Sequence, residues 1–302
     1  MTTISVVIPT YNYGHYISRS IDSVIEQTVP PVEIIIIDDG STDNTEEIIS
    51  KDYNDHGKIK YIKKKNGGPA SARNLGIENA AGEFVLLLDA DDKLQPNTIE
   101  LLTEKIEMFP LADMVIGGSF SVHPSRRKRY CPVPLLKEKK FDNFKAFLNK
   151  KISICHGKFM VRKNKFDRIK YPEHLRNSED LSVYAQLIAT CNIVTVDAAL
   201  VQIFHHSDSL RHNHEFVEKT GLSVIDAVFD RKLLSPEFFK CKSAFYIQRC
   251  LSIFRTLYKA GRYNDAERYF NMAVSQSFLS LFKWKYLSKY LRMKVVSWRR
   301  RS

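Results

Sequence analysis

Short apolar runs alternate with amphipathic stretches along the first part of the chain. Ile4 to Pro9 predicts a strand, and Tyr16 to Gln27 a helix with Ile17, Ile21, Val24 and Ile25 on one face. Glu33 to Ile37 predicts a second strand. Asp43 stands as an N-cap with Glu46 at capping-box spacing, opening a helix to about Tyr53. Ile59 to Ile62 reads as a third strand, and Asn66-Gly67-Gly68-Pro69 as a loop into a helix from about Ala70 to Ala80. A strand at Phe84 to Leu88, a helix from about Pro96 to Met108 and a strand at Met114 to Gly118 follow. This alternation predicts an α/β domain with a mostly parallel sheet flanked by helices.

Beyond residue 120 the pattern is less regular. Ser125-Arg-Arg-Lys-Arg129 reads as a mobile basic loop, Phe141 to Asn149 as a short helix and Ile152 to Val161 as a strand. Ser178-Glu179-Asp180 opens a helix through about Ala189, and Ile193 to Ile203 predicts a strand. From about Glu215 the pattern is wholly helical. The expected division is therefore a catalytic domain over 1–212 and a helical basic region over 213–302.

The chemistry concentrates where strands end. Phe84-Val-Leu-Leu-Leu-Asp89-Ala-Asp91-Asp92 is a greasy strand closed by three carboxylates, which repel one another unless a cation sits among them. Oxygen ligands there suit Mg²⁺ or Mn²⁺, and the carboxyl ends of parallel strands are where α/β sheets bind ligands. The competing reading is an Asp-rich solvated turn. Pro9-Thr10-Tyr11-Asn12 closes the first strand, where a tyrosine can stack on a nucleobase or staple the next helix. Asp38 and Asp39 close the second, able to accept bonds from base or ribose, or to shape a D-G-S turn. Arg73 on the following helix suits phosphate by its planar fork.

Composition narrows the class. Hydrophobic content of 44% and charged content of 26% over 302 residues are ordinary for a globular protein. Five widely spaced cysteines without a C-x-x-C pair argue against a disulfide framework or a zinc site. With no signal peptide and no spanning apolar run, they point to a cytoplasmic protein. The net charge of +12 is lopsided: no acid follows Glu267, whereas Arg268, Lys283, Lys285, Lys289, Arg292, Lys294 and Arg299 to Arg301 do.

In this order Ser5-Val-Val-Ile-Pro-Thr-Tyr-Asn12, Ile37-Asp-Asp-Gly-Ser-Thr-Asp43, Asn66-Gly-Gly-Pro-Ala-Ser-Ala-Arg-Asn-Leu-Gly76, Leu88-Asp-Ala-Asp-Asp92 and Ser178-Glu-Asp180 occur across residues 1 to 210. Together they resemble the inverting glycosyltransferases of family 2, of bacterial surface-polysaccharide type, which have the GT-A nucleotide-sugar-binding fold. The resemblance implies a nucleotide-sugar donor, most simply a UDP-sugar, and a hydroxyl of a glycan or lipid-diphosphate-linked glycan as acceptor. It also implies Mn²⁺ or Mg²⁺ as cofactor. Pro9, Thr10, Tyr11 and Asn12 would line the base pocket, and Asp39 with Asp38 would bond base or ribose. Arg73 and Ala90 would lie near ribose and diphosphate. Asp89 would face the ribose and Asp91 the metal, as the two acids of a D-x-D pair, with Asp89 also named as a metal ligand beside Asp91 and His206. Asp180 would be the general base, with Glu179 the runner-up. His205-His206-Ser-Asp-Ser-Leu210 resembles an element whose histidine completes the nucleotide or metal site. The chain has Ile203-Phe204 where many members have Tyr-Arg, so His206 and His205 both stand as candidates.

On a helical wheel Trp284, Leu287, Leu291, Val295 and Trp298 share one face and Lys285, Lys289, Arg292 and Arg299 another. This basic amphipathic helix predicts a peripheral site on the anionic inner face of the plasma membrane, or else packing on the catalytic domain. The alternatives are a nucleotidyltransferase on a related sheet and a non-catalytic basic binding protein. A nucleic-acid partner is not expected, because the informative residues are acidic and sit at sheet mouths.

Overall fold

The computed structural model describes residues 2–125, 127–175, 178–206, 221–282 and 284–299. The chain divides into two compact units, Met1–His174 with Val183–Ser209, and Leu175–Ser182 with Leu210–Ser302. The expected boundary at 212, the helical onset at Glu215 and Ser207 to Leu210 lie outside the described residues.

The first unit is built on a nine-stranded sheet: β1 (Ile4–Thr10), β2 (Glu33–Asp38), β3 (Ile59–Lys63), β4 (Phe84–Leu87), β5 (Lys93–Leu94), β6 (Met114–Val122), β7 (Lys128–Cys131), β8 (Phe159–Arg162) and β9 (Ile193–Phe204). Their order is β3-β2-β1-β4-β8-β6-β9-β5, with β7 also paired to β6. β3, β2, β1 and β4 run parallel; β8 is antiparallel to both β4 and β6, while β6 and β9 are parallel. Helices α1 (Gly14–Ile25), α2 (Thr45–Asp52), α3 (Pro69–Asn79), α4 (Thr98–Met108), α5 (Lys140–Leu148) and α6 (Glu179–Thr190) connect or follow these strands. The first turn of α6 is counted with the second unit.

Continuous β-branched runs explain the centre of the sheet. Ile34 to Ile37 are all at most 1% exposed, as a strand covered on both faces requires. On one face Val6, Ile8, Ile34, Ile36, Phe84 and Leu86 form a cluster with Ile17, Ile21 and Val24 of α1 and Ile99 and Leu102 of α4. Burying each such side chain contributes about 1.5–3 kcal/mol. Chain order fixes the site: β1 is flanked by β2 on one side and β4 on the other, so the direction of winding reverses there and a crevice opens at their carboxyl ends.

Several local expectations are corrected. The capping box does not form: α2 begins at Thr45, and Asp43 instead accepts bonds from the Thr45 backbone and hydroxyl and from the Gly14 N–H. Glu46 is free to pair with Lys63 at 2.5 Å. Residues 152 to 158 are not strand; the chain turns at Gly157, whose φ of +75° favours glycine, and β8 starts only at Phe159. The basic stretch is not merely a loop, because Lys128–Cys131 pair with β6 as β7.

The second unit is helical: α7 (Ser223–Val228), α8 (Lys242–Lys259), α9 (Tyr263–Gln276) and α10 (Trp284–Arg299). Cys250, Leu251, Phe254, Leu257, Ala266, Phe270 and Met293 form its core, with Tyr286, Leu287 and Tyr290 packed against it. This splits the apolar face expected for α10. Leu287 packs inward, whereas Trp284 (71% exposed), Leu291 and Val295 face outward. The side chain of Trp298 lies outside the described residues.

Gly76 shows how closely α3 approaches the sheet: a Cβ there would stand 2.2 Å from Val7 Cγ1. Gly76→Val should therefore cost about 1–3 kcal/mol of stability by overpacking. A fall in the urea midpoint at constant m-value is expected; an unchanged midpoint refutes the contact.

Candidate active site

The three strand ends named from the sequence stand side by side in the order β2-β1-β4. At the end of β1, Thr10 is buried and Tyr11 is exposed. Asn12 takes a left-handed φ of 55°, which Asn tolerates better than most residues. Its Oδ1 accepts the Thr42 N–H at 2.8 Å and its own N–H donates to Ser41 Oγ at 2.9 Å, tying the β1 turn to the β2 turn. Pro9 and Ala90 flank this mouth, Ala90 buried and Pro9 half-buried.

Asp38 and Asp39 are both buried and both occupied. Asp38 accepts the Ser41 N–H at 2.7 Å and the Tyr61 hydroxyl at 2.6 Å. Burial, then the bond to Asp38, pushes the Tyr61 hydroxyl's pKa far up. Asp39 accepts the N–H groups of Gly67 (2.9 Å) and Gly68 (2.7 Å) and pairs with Lys64 at 2.7 Å. Gly68, at φ +92°, caps α3 with Pro69 at its first position. This loop therefore folds around Asp39, which positions α3 and with it Arg73.

The carboxylates after β4 are separated by their partners. Asp89 meets Arg73 at 3.0 Å and His156 Nδ1 at 3.2 Å. Burial alone would raise its pKa, yet His156 and Arg73 hold it well below the usual carboxylate range. Asp91 meets His206 Nε2 at 2.7 Å. Burial, then the charge of Asp89, pushes the Asp91 pKa up. Asp92 is buried and accepts the Phe204 N–H at 2.9 Å, anchoring the end of β9 to the β4 turn. It is this anchor that brings His206, and not His205, to Asp91. His205 instead bonds Ser121 Oγ at 2.8 Å and stacks on His123.

Three residues here, His156, Tyr171 and Arg19, escaped sequence reasoning. His156 bridges Asp89 and the Tyr171 hydroxyl, the latter at 3.0 Å. Tyr171 is clasped by Asn74, whose side chain bonds both its backbone N–H and its carbonyl. Arg19 from α1 lies 3.7 Å over the Phe204 ring and bonds the Asp91 carbonyl oxygen. An arginine thus stands on the phenylalanine of Ile203-Phe204, supplied from α1 rather than from the neighbouring position. The one sequence hint was Cys155-His156-Gly157-Lys158, a polar interruption with glycine before an apolar strand.

Glu179 and Asp180 open α6, Glu179 buried and its carbonyl bonded by Ser182 Oγ at 3.0 Å. Within the same unit Arg249 lies on α8. Burial lowers the guanidinium's pKa, and Cys250 and Asp180 act in the opposite direction.

The donor set fits a divalent cation. Asp91 and His206 stand in direct contact at 2.7 Å, a carboxylate oxygen and an imidazole nitrogen of the kinds that ligate such a cation. His206 Nδ1 and Thr10 Oγ1 are buried polar atoms with no partner among the described residues. No group of three His, Cys, Asp or Glu side chains suited to a metal occurs among them. Two protein ligands with substrate phosphate oxygens completing the shell is a common arrangement for Mg²⁺ and suits Mn²⁺.

Likeness to known proteins agrees with this arrangement. Across 148 residues the chain is 34% identical to glycosyltransferase GlyA of Streptococcus pneumoniae, covering 48% of this chain and 21% of that one. It is 45% identical over 98 residues to chondroitin synthase of Pasteurella multocida, 32% of this chain and 10% of that one. An uncharacterized glycosyltransferase of Rickettsia conorii is 33% identical over 202 residues, 67% of this chain and 33% of its own length. The chain thus spans only a minor part of these relatives. In fold it is similar to S. aureus TarS 1–349 in complex with UDP-GlcNAc, with a TM-score of 0.63 at 21% identity, covering 99% of this chain and 92% of that one. The sequence profile described as Glycosyl transferase family 2 matches residues 5–169. That span is more than half the chain and carries all three strand ends and the Arg73 helix, so the chain belongs to glycosyl transferase family 2.

Proposed function

We propose that this chain transfers a sugar from a nucleotide-sugar, a UDP-sugar, to a hydroxyl of a glycan acceptor with inversion at the anomeric carbon, in bacterial surface-polysaccharide assembly. The observation that carries the reading is the divided carboxylate cluster: Asp89 locked by Arg73 and His156, Asp91 set against His206, at the mouth between β1 and β4. S. aureus TarS, of like fold, has been crystallised with UDP and with UDP-GlcNAc, which supports the donor class.

In this reading exposed Tyr11 stacks on the base, and Thr10 Oγ1 offers the buried polar atom that still lacks a partner. Asp89 faces the ribose and Arg73 the diphosphate. Asp91 and His206 would hold Mn²⁺ or Mg²⁺, which when bound offsets the charge building on the departing diphosphate. Asp180 takes the proton of the acceptor hydroxyl as its oxygen attacks C1 and the C1–O bond to the diphosphate breaks. Arg249 supplies a positive charge near Asp180 and so favours the ionised carboxylate that a base must be.

Asp180→Asn should lower turnover by roughly a hundredfold or more, the scale of one general base, while UDP affinity by calorimetry stays unchanged. Near-normal turnover would transfer the role to Glu179 or elsewhere. Asp91→Ala should abolish the Mn²⁺ dependence of UDP binding; a metal-dependent affinity equal to that of the unaltered protein would refute the ligand assignment.

The acceptor is read as lipid-diphosphate-linked, which places the enzyme on the inner face of the plasma membrane. No helix of the described residues is long and apolar enough to cross a membrane. On α10, however, exposed Trp284, Leu291 and Val295 lie beside exposed Lys285 and Arg292, a combination suited to an anionic interface. Each basic residue near such a surface contributes about 1 kcal/mol. Trp284→Glu/Leu291→Glu/Val295→Glu should abolish co-sedimentation with phosphatidylglycerol vesicles; equal binding by this variant would sink the membrane role.

A further inference from the structure

We propose that the crossover from β6 to β8 is the docking surface for an acceptor glycan bearing negative charge along its length, a proposal that rests on the glycosyl-transfer reading above. Charge distribution is the first observation. Residues 123–158 hold eleven lysines and arginines against two acids, and the segment after Glu267 holds nine against none. The rest of the chain has 26 basic and 32 acidic residues and is net negative. The positive charge of the first unit is therefore largely a property of this one connection.

Placement is the second observation. β6 and β4 are both antiparallel to β8, so β6 points its carboxyl end the same way as the strand that delivers Asp89. The crossover leaves from that end at Val122 and returns through His156, which bonds Asp89, and Gly157, whose N–H donates to the Leu87 carbonyl at 2.7 Å. A chain lying along it would reach the donor mouth.

The third observation is that five of these charges, including Arg127, Lys128 and Arg129 of the β6–β7 hairpin, have no acidic partner among the described residues. Arg127, Lys128, Arg129, Lys137 and Lys139 are exposed, and among the described residues none pairs with a carboxylate. Elsewhere in the unit Lys60, Lys63, Lys64 and Lys165 each have an acidic partner. At the inner end Lys158 is 1% exposed with one bond, to the Ser153 carbonyl at 3.3 Å, and no carboxylate. Burial lowers its pKa, opposed by Cys155 and Cys131. A buried cation ordinarily has a counter-charge. A polyanion supplies a counter-charge to the exposed cations, whereas a neutral glycan leaves them unmatched. Among the described residues of the crossover Tyr130 and Leu135 are the exposed large apolar side chains, set singly among the bases, so a lipid surface is kept as an outcome of the test.

The test uses the full chain with polygalacturonate, size-matched neutral dextran, oligouridylate and phosphatidylglycerol vesicles as probes. Polygalacturonate should bind and dextran should not, with affinity falling about tenfold or more between 50 and 200 mM salt, as screening of exposed charges demands. Arg127→Glu/Lys128→Glu/Arg129→Glu should weaken polygalacturonate at least tenfold while UDP affinity is unchanged. If that variant loses UDP binding as well, Lys137→Glu/Lys139→Glu with intact UDP binding decides by the same tenfold criterion. Equal binding of dextran, or polygalacturonate affinity untouched by charge reversal, overturns the proposal. So does tighter hairpin-dependent binding of oligouridylate, or hairpin-dependent binding of vesicles alone. Failure of the unaltered protein to bind UDP would strike the donor reading instead, and is read separately.

Discussion

Three carboxylates within four residues cannot close a buried strand unless each is given its own company. At a separation of about 4 Å, two like charges repel by about 4 kcal/mol at the effective dielectric of a protein surface. Here Asp89 is neutralised by Arg73 and His156, Asp91 faces His206, and Asp92 spends an oxygen on a backbone N–H of β9. The partners come from α3, from the turn before β8 and from the end of β9. The separation of charge at the end of β4 thus organises most of the sheet's mouth.

This explains the asymmetry between Asp89 and Asp91. Asp89 is held ionised beside the Arg73 guanidinium and the His156 imidazole, so its oxygens already have partners. The Asp91 pKa is raised by burial and by Asp89, and its partner is a histidine whose other nitrogen is buried without a bond among the described residues. A divalent cation would relieve that arrangement more than any single side chain could. The same reasoning leaves Asp38 and Asp39 chiefly as builders. Their oxygens already accept from Ser41 and Tyr61 in Asp38 and from Lys64, Gly67 and Gly68 in Asp39, so they hold a rigid edge around the base site.

Residue patterns made the parallel half of the sheet legible, because Ile34 to Ile37 and Phe84 to Leu87 are runs that only a doubly covered strand accommodates. Asp89, Asp91 and Arg73 were legible for a different reason: they sit in ordered motifs next to those runs. His156 and Arg19 were not, since each finds its partner about seventy residues away and neither carries a local pattern. β5 and β7 are too short and too polar to show a period of two, and β7 exists only because β6 extends to Val122 beside it. Ile152 and Ile154 alternate like a strand, yet the left-handed turn at Gly157 and the bonding of His156 to Asp89 prevent pairing there. The choice between His205 and His206 was likewise undecidable from order alone; Asp92, by fixing Phe204, makes it.

The two halves of the charge pattern have one physical logic. Acids gather at the end of β4, where a bound diphosphate would bring its own negative charge and a cation must mediate between them. Arg127, Lys128, Arg129, Lys137 and Lys139 gather on the crossover that starts and ends beside those acids, exposed and without an acidic partner among the described residues. If the crossover served only to connect β6 to β8, its lysines and arginines could be matched by acids, as Lys60, Lys63 and Lys165 are in the same unit. Leaving them unmatched costs self-repulsion at every approach of like charge. Such a surface is retained at least cost when its counter-charge arrives from outside. A glycan that presents a hydroxyl beside the nucleotide site without occupying it is served by a basic surface that runs alongside that mouth rather than into it.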